Sequence, residues 1–157
     1  EDLAKEMVSR GNWKIRVMGD RTALSKDFLE SLEKSEADSA NTDGTTVNLA
    51  IGYGGRQEIT DAMRSIVQSS IASGDDLSKL SDSLTPELIA SHLYTSDQPD
   101  PDLIIRTSGE QRLSGFLLWQ SSNSELYFEE ALWPDFRKVD FLRAIRAFTR
   151  RHRRFGA

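Results

Sequence analysis

Short strand-like runs alternate with helical stripes along the first half of the chain. Residues 14–18 alternate polar and apolar side chains and end at Gly19 and Asp20, which predicts a short strand. Residues 46–51 predict a second strand, closed by the glycine-rich run that begins at Gly52. Apolar residues 3, 7 and 8 predict the end of a helix that stops at Gly11. Apolar residues 24, 28, 29 and 32 have helical spacing and predict a further helix. The polar residues 35–45 after it predict a loop.

The clearest helix follows the second strand and ends before Gly74. Its apolar residues recur at the spacing of one helical face. Thr85 and Pro86 then begin another helix, with a hydroxyl at the N-cap and proline at the first helical position. The stripe consists of Ile59, Ala62, Met63, Ile66, Val67 and Ile71, and residues 75–83 after it predict a loop.

The second half of the chain has weaker patterns. The apolar run 103–105 predicts a buried strand, and 126–128 predicts another. Residues 116–120 predict a helix. A final helix from about Asp140 is expected to bury Phe141, Ile145 and Phe148 and to expose arginines on its other side.

Strands separated by helices predict an α/β fold. Such connections are right-handed crossovers, so we expect a mainly parallel central sheet flanked by helices. The sequence has no internal repeat and no linker of the kind that separates domains. We therefore expect residues 1–157 to form a single domain.

Composition and charge narrow the class of protein. The chain lacks cysteine, which excludes disulfides and thiolate metal sites, and it has no apolar run near the roughly 20 residues of a membrane span. The net charge of −5 is uneven, because the segment from Arg137 onwards carries +7 and the rest carries −12. An acidic body with a basic end argues against a general nucleic-acid-binding protein.

The loop after the predicted strand 103–105 carries candidate chemistry. It contains Arg106 and Arg112 together with several hydroxyl groups and Gly109. Ligands of open α/β sheets bind beyond the carboxyl ends of strands, and arginine donates paired hydrogen bonds to phosphate oxygens. These residues suit a diphosphate. The alternative is a surface loop whose arginines pair with Glu110 or Asp102, and composition leaves both interpretations open.

A family resemblance covers nearly the whole chain. The segment RTSGEQRLSGFLLWQ at 106–120 resembles the block RTGGExRxSxFLLWQ of cis-prenyltransferases such as undecaprenyl diphosphate synthase. The resemblance continues through SELYF (124–128), LWPDF (132–136) and RRFG (153–156). Upstream, VMGD, NLA and YGGR follow in the family's order. The resemblance implies the undecaprenyl diphosphate synthase-like fold.

The resemblance also implies roles for the loop residues. Arg106, Arg112 and Ser114 would bind the diphosphate of isopentenyl diphosphate. Glu110 matches a family glutamate, and we expect it to orient the two arginines. These four residues form the substrate-binding prediction for the loop.

Two further expectations concern metal binding and the end of the chain. Glu125, before Leu-Tyr-Phe, matches a glutamate that helps to hold Mg²⁺ in the family. Arg154 and Gly156 match a terminal R-x-G motif that reaches across a homodimer towards the partner's substrate. Many bacterial members have histidine at the metal site where this chain has Gln111. An amide oxygen is a weaker Mg²⁺ ligand than a carboxylate, so a metal role for Gln111 is in doubt.

The family's catalytic aspartate lies in an amino-terminal MDGNGR motif that does not occur in this sequence. We therefore expect that this chain is the carboxyl-terminal part of the enzyme and contains none of its catalytic residues. The amino-terminal part of the fold would be missing, and the chain alone would be incomplete for catalysis. Gly52 is a second departure, since the family commonly has asparagine there.

The implied enzyme condenses isopentenyl diphosphate onto an allylic prenyl diphosphate, with Mg²⁺, to make a Z-polyprenyl diphosphate. Such products serve as lipid-carrier precursors for cell-wall glycan synthesis. We expect a cytoplasmic homodimer with peripheral contact at the inner face of the membrane and no nucleic-acid partner. The main alternative is a non-catalytic partner subunit of the same family, which need not retain Arg106, Arg112, Ser114 and Glu125. A nucleic-acid module built on the arginine-rich final helix is the second alternative.

Overall fold

The structure is a computed structural model that describes residues 6, 9, 11–22 and 24–151. The predicted helix end on residues 3, 7 and 8 lies outside these ranges. The chain divides into two compact units, Glu1–Tyr94 and Thr95–Ala157, and each is described by itself. Whether they form a single domain stays a prediction.

The first unit is an α/β arrangement around two parallel strands. Trp13 lies opposite Thr45 and Met18 lies opposite Ala50, which confirms both predicted strands and their parallel direction. The buried core includes Ile15, Leu32 and Ile66. The elements are β1 (Trp13–Met18), α1 (Lys26–Ser39), β2 (Thr45–Ala50), α2 (Gly55–Ser73), a 3₁₀ turn (Leu77–Lys79), α3 (Leu80–Ser83) and α4 (Pro86–Ala90).

Two glycines let the carboxyl ends of β1 and β2 approach closely. A side chain on Gly19 would collide with the carbonyl oxygen of Ile51. Gly52 has a φ of +62°, and a Cβ there would lie 2.8 Å from the carbonyl oxygen of Asp20. Glycine adopts this left-handed conformation readily and asparagine tolerates it. The conformation alone would allow asparagine at position 52, but an asparagine Cβ would also have to displace the Asp20 carbonyl oxygen, so the close approach favours glycine.

Helix α1 is longer than its sequence predicts. The polar segment 35–45 was expected to be a loop, but its first five residues continue the helix to Ser39. Ser35 and Ser39 are buried, and their hydroxyls donate to the carbonyl oxygens of Ser31 (3.0 Å) and Ser35 (2.8 Å). These internal hydrogen bonds allow serine to face a helix interior.

Side chains also satisfy the outer edge of β1. Ser39 Oγ accepts the Ile15 N–H at 2.9 Å, and Glu36 Oε1 accepts the Val17 N–H at 2.6 Å. Arg21 donates to the Val17 carbonyl oxygen at 3.0 Å and to Glu36 Oε2 at 3.0 Å. An edge strand otherwise presents unpaired backbone groups to other chains. Helix α1 therefore closes this edge.

Helix α2 confirms the predicted apolar stripe and adds a buried carboxylate. Ala62 and Ile66 are buried, whereas Ile71 at the end of the stripe is 58% exposed. Glu58 is 1% exposed and accepts hydrogen bonds from the Tyr53 hydroxyl and, at 2.9 Å, from the Tyr94 backbone N–H. Glu58 thus joins α2 to the segments on either side of it.

Two predicted helix ends, at Gly74 and Thr85, are confirmed, whereas the segment between them differs from its prediction. Gly74 terminates α2 with a φ of +75°, and Thr85 Oγ1 accepts the Leu88 N–H at 3.1 Å as the N-cap of α4. Residues 75–83 were expected to be a loop, but they contain the 3₁₀ turn and α3. Asp76 accepts from the Ser78 N–H and hydroxyl, which fixes the start of this turn.

The second unit also contains two parallel strands, which confirms both predicted strands. Leu103 lies opposite Glu125 and Arg106 lies opposite Phe128. Residues 116–120 were expected to be helical, but they form turns with Leu117 at a positive φ. The elements are β3 (Leu103–Arg106), a 3₁₀ helix (Gln120–Asn123), β4 (Glu125–Phe128), a 3₁₀ turn (Trp133–Asp135) and α5 (Lys138–Thr149).

Helix α5 does not bury the face that its sequence predicts. Phe141 is 45% exposed and Ile145 is 36% exposed, while Phe148 is half-buried. The residues that are buried are Asp140 and Ala144. Apolar side chains lie on both sides of the buried face formed by Asp140 and Ala144. The hydrophobic periodicity therefore predicted a helix correctly, but it did not predict which face of the helix is buried.

Candidate functional site

The candidate loop begins directly after β3 and is held by backbone hydrogen bonds to the segment after β4. The Glu129 N–H donates to the carbonyl oxygen of Arg106 at 2.8 Å, and the Gly109 N–H donates to that of Glu129 at 2.9 Å. The Ser108 N–H donates to the carbonyl oxygen of Ala131, also at 2.9 Å. The loop therefore lies beyond the carboxyl end of a parallel strand, where the sequence predicted a site.

Arg106 is the central residue of the loop. Its Nη1 donates to Ser114 Oγ at 2.6 Å and to the carbonyl oxygen of Arg112, and its Nη2 donates to Glu110 Oε2. Only 19% of the Arg106 side chain is exposed. A planar guanidinium with several donors can hold such a group of acceptors together, which an ammonium cannot.

Arg112 joins the same cluster from the solvent side. Its Nη2 donates to Glu110 Oε1 at 2.6 Å and its Nε donates to Ser114 Oγ at 3.2 Å. The side chain is 63% exposed. Glu110 thus contacts both arginines. This contact agrees with the expected orienting role and equally with the alternative of a surface loop whose arginines pair with Glu110.

This arginine cluster, defined as Arg106, Glu110, Arg112 and Ser114, has a net charge of +1. Ser114 Oγ accepts from both guanidiniums, so its own proton is available for another acceptor. Part of the donor set of Arg112 also faces solvent. The cluster can therefore donate several hydrogen bonds to an anion.

A cavity of about 320 Å³ adjoins the cluster. Its size suits a small molecule. The lining combines charged, hydroxyl and apolar groups, which fits a short apolar group joined to an anion. The residues are Ile104, Ile105, Arg106, Thr107, Ser108, Leu113, Ser114 and Phe116.

Three residues of this segment other than glycine have left-handed backbone conformations. The φ angles are +84° at Ser108, +49° at Ser114 and +46° at Leu117. A side chain in this region costs about 1–2 kcal/mol. Such strain is concentrated at functional sites, where the surrounding structure enforces it.

A comparison with protein families decides where the chain belongs. A family model described as "Putative undecaprenyl diphosphate synthase" matches residues 1–156. The chain belongs to the undecaprenyl diphosphate synthase family.

Relatives in this family include isoprenyl transferase 1 from Streptomyces avermitilis, which is 50% identical over 156 residues. That alignment covers 99% of this chain and 61% of the relative. A (2Z,6E)-farnesyl diphosphate synthase from Mycolicibacterium smegmatis is 51% identical over 158 residues, covering 99% of this chain and 60% of the relative. The chain thus spans about three fifths of the length of these curated relatives.

A solved structure of this family's fold supports the architecture. The crystal structure of lavandulyl diphosphate synthase from Lavandula x intermedia, in complex with dimethylallyl diphosphate, matches with a TM-score of 0.88 and 32% identity. The match covers 100% of this chain and 66% of the other. The predicted α/β fold with parallel strands is therefore confirmed.

Glu125, the expected metal ligand, lies apart from the arginine cluster in the strand register. It starts β4 opposite Leu103, three residues before Arg106 on β3. At the rise of a parallel strand this separation is about 10 Å along the sheet. Glu125 Oε2 instead accepts a hydrogen bond from Arg151 Nη1 at 2.7 Å.

The residues present meet only part of what Mg²⁺ requires. No group of three acidic or histidine side chains that could hold a metal ion occurs in the ranges that the structure describes. Mg²⁺ in proteins is commonly bound by one or two carboxylates, with substrate phosphates and waters completing the shell. Glu125 fits as one such carboxylate. Its Oε1 has no hydrogen bond recorded within the described ranges.

The structure gives little information on the roles predicted for Gln111, Arg154 and Gly156. Gln111 is exposed in the loop, and no hydrogen bond of its side chain is recorded within the described part of the chain. Arg154 and Gly156 lie outside the described residues, so their expected role stays a prediction.

Two residues near the predicted site residues, Arg151 and Ser108, were not predicted individually from the sequence. Arg151 reaches Glu125 across 26 positions, and local patterns cannot reveal such a pairing. Ser108 was included only as one of several hydroxyls. A signal was present, because Ser108 stands where the resembled block RTGGE has glycine.

Proposed function

We propose that the protein is a cis-prenyltransferase and that this chain supplies the part that binds isopentenyl diphosphate. The observation that carries the proposal is the arginine cluster, in which Arg106, Arg112 and Ser114 converge beside a partly apolar cavity. Membership of the undecaprenyl diphosphate synthase family supports the same conclusion. The names of the relatives agree, since one describes an isoprenyl transferase and the other the synthesis of a (2Z,6E)-farnesyl diphosphate.

In this proposal the diphosphate of isopentenyl diphosphate is held by the two arginines and the Ser114 hydroxyl. Each charge-assisted hydrogen bond contributes about 1.5–3 kcal/mol. Glu110 keeps the two guanidiniums in place before the substrate arrives. The apolar part of the cavity, including Leu113 and Phe116, would accept the isopentenyl group.

The proposed reaction is a head-to-tail condensation. The alkene of isopentenyl diphosphate attacks C1 of the allylic primer, and the bond from C1 to the diphosphate oxygen breaks. The primer's diphosphate leaves with the electron pair of that bond. A proton then passes from C2 of the isopentenyl unit to solvent, which leaves a cis double bond. The contribution of this chain is to fix the nucleophile by its diphosphate, since positioning accounts for a large part of such catalysis.

We also propose Mg²⁺ as the cofactor, with Glu125 as one ligand. When bound, the ion would neutralise charge on the departing diphosphate. The remaining ligands would come from diphosphate oxygens, water and residues other than those described.

The assembly and the location of the protein are proposals of the same kind. We propose a homodimer in which Arg154 and Gly156 reach the partner's substrate, acting in the cytoplasm with peripheral contact at the membrane. Every helix in the described ranges is too short or too polar to cross a bilayer. A role in making lipid carriers for cell-wall glycans follows from the proposed product.

The test is turnover of the full-length protein with labelled isopentenyl diphosphate and a set of allylic primers, with product geometry determined by NMR. We expect cis products, and we expect Arg106→Ala to raise KM for isopentenyl diphosphate at least tenfold, as the loss of one or more charge-assisted bonds predicts. Arg146→Ala, an exposed arginine on α5, is the matched control and should leave KM unchanged.

Two outcomes would contradict the proposal. Trans products would exclude a cis-prenyltransferase. Binding of isopentenyl diphosphate without turnover by the full-length protein, in the presence of Mg²⁺ and each primer, would favour the non-catalytic partner subunit.

A further inference from the structure

Ser108 occupies a strained position that glycine would fill without cost. Its φ is +84°, and Gly109 follows at +71°. Glycine adopts such angles about as readily as negative ones, whereas a Cβ makes them unfavourable. The block RTGGE, which this segment resembles, has glycine at this position. This chain has serine there despite the strain.

The conformation of Ser108 is fixed by the backbone. Its own N–H donates to the carbonyl oxygen of Ala131 and the next N–H donates to that of Glu129, both at 2.9 Å. These two amides are therefore engaged and are not available to an anion. At Ser108 itself, the donor that remains for an anion is therefore the side-chain hydroxyl.

Ser108 is placed where its hydroxyl can serve that purpose. It lines the same 320 Å³ cavity as Arg106 and Ser114. The residue is exposed, and no hydrogen bond of its hydroxyl is recorded within the described ranges. A strained residue whose polar group is unused by the fold, at the wall of a cationic cavity, indicates a ligand contact.

We propose that Ser108 is a substrate-contacting residue whose hydroxyl donates a hydrogen bond to the diphosphate bound by Arg106 and Ser114. This inference rests on the proposed function and extends its binding set by one residue. It also explains the strain, because a glycine would remove the strain and the donor together.

Two substitutions separate the hydroxyl from the strain. Ser108→Ala removes the hydroxyl but retains the Cβ, and with it the strained conformation. Ser108→Gly removes both. Ser122→Ala, at an exposed serine of the 3₁₀ helix before β4, is the control for loss of a hydroxyl elsewhere.

Inorganic pyrophosphate is the probe, with affinity measured by isothermal titration calorimetry and stability by thermal unfolding. We expect Ser108→Ala and Ser108→Gly each to weaken binding about tenfold, the effect of one hydrogen bond to a charged group. Ser108→Gly should also raise Tm by about 2 °C, whereas Ser108→Ala should leave Tm unchanged. Ser122→Ala should bind as the unaltered protein does.

The result that overturns the inference is an affinity within twofold of the unaltered protein in both Ser108 variants while Arg106→Ala abolishes binding. If Arg106→Ala binds pyrophosphate normally, the proposed diphosphate site is wrong and the inference fails with it. Turnover gives a further readout. Ser108→Ala should raise KM for isopentenyl diphosphate and change kcat less, because the contact is to the non-reacting end of the substrate.

Discussion

Arg151 and Glu125 form an ion pair that joins the segment just after α5 to the start of β4. Arg151 Nη1 lies 2.7 Å from Glu125 Oε2, and the same nitrogen donates to the carbonyl oxygen of Leu126 at 2.9 Å. The exposed fractions are 43% for the arginine side chain and 26% for the glutamate. The carboxylate that the family resemblance assigns to Mg²⁺ thus has an internal cationic partner.

We expect this pair to make a small but measurable contribution to stability. Partly exposed ion pairs contribute about 0.2–1 kcal/mol. A double-mutant cycle with Glu125→Gln and Arg151→Gln, followed by urea unfolding, should give a coupling free energy in that range. Arg150→Gln is the control, since Arg150 is exposed and adjacent, and it should show no coupling to Glu125→Gln. Coupling of the same size with Arg150 would mean that the effect is not specific to the pair.

Arg106→Lys should disrupt the arginine cluster although the charge is retained. The guanidinium donates at once to Arg112, Ser114 and Glu110, and a lysine ammonium cannot match that planar geometry. We expect pyrophosphate affinity to fall at least tenfold, measured by calorimetry. Arg112→Lys should have a smaller effect, because Arg112 is 63% exposed and more weakly constrained. Equal effects of the two substitutions would contradict the central role of Arg106.

Ser39→Ala should destabilise the first unit by removing an edge contact of β1. The hydroxyl accepts the Ile15 N–H at 2.9 Å, and both residues are 1% exposed. Leaving a buried N–H without an acceptor costs about 1–3 kcal/mol. We expect a loss of that size in the free energy of unfolding, measured in urea. Ser69→Ala, exposed on α2, should change it by less than about 0.5 kcal/mol. A loss below that threshold for Ser39→Ala would mean that water replaces the hydroxyl.

Tyr94 should make the stability of the protein sensitive to alkaline pH. Burial, together with the hydrogen bond from its hydroxyl to Asp61 Oδ2 at 2.7 Å, raises the pKa of Tyr94 to about 12. The unfolded pKa is about 10, so the contribution is fully present below pH 10 and is lost as pH rises towards 12.

Tyr94→Phe is the corresponding test. We expect the free energy of unfolding to fall at pH 8 because the hydrogen bond to Asp61 is lost. The decline between pH 10 and 12 should then be shallower than in the unaltered protein. An identical decline in the Tyr94 variant would show that other groups cause it.

The helices and strands with a strong hydrophobic periodicity were predictable from the sequence. The strands around Ile15 and Leu49 and the stripe on α2 have the repeat that each structure requires, and the strands run parallel as expected. The last turn of α1 was missed because Ser35 and Ser39 look like loop residues. Only the tertiary contact with β1 explains why they are helical and buried.

The candidate site was predictable in its members but not in its geometry. Arg106, Arg112, Ser114 and Glu110 were all named, and the structure brings these four together. The placement of Glu125 depends on strand register, and its pairing with Arg151 depends on how α5 packs on β4. Neither the strand register nor the packing of α5 can be predicted from a local sequence pattern. The exposure of Phe141 has the same origin, because a helical repeat does not state which face is covered.

The bridging position of Glu110 has a consequence for which anions the cluster can select. Any anion that approaches Arg106 and Arg112 must compete with a carboxylate that is already in contact with both. A monovalent anion such as chloride or acetate carries no more negative charge than the Glu110 carboxylate that it would have to displace. A diphosphate brings several oxygens and a larger charge, so it can bind alongside Glu110 or replace it. We therefore expect the internal carboxylate to make the cluster favour multiply charged anions over monovalent ones.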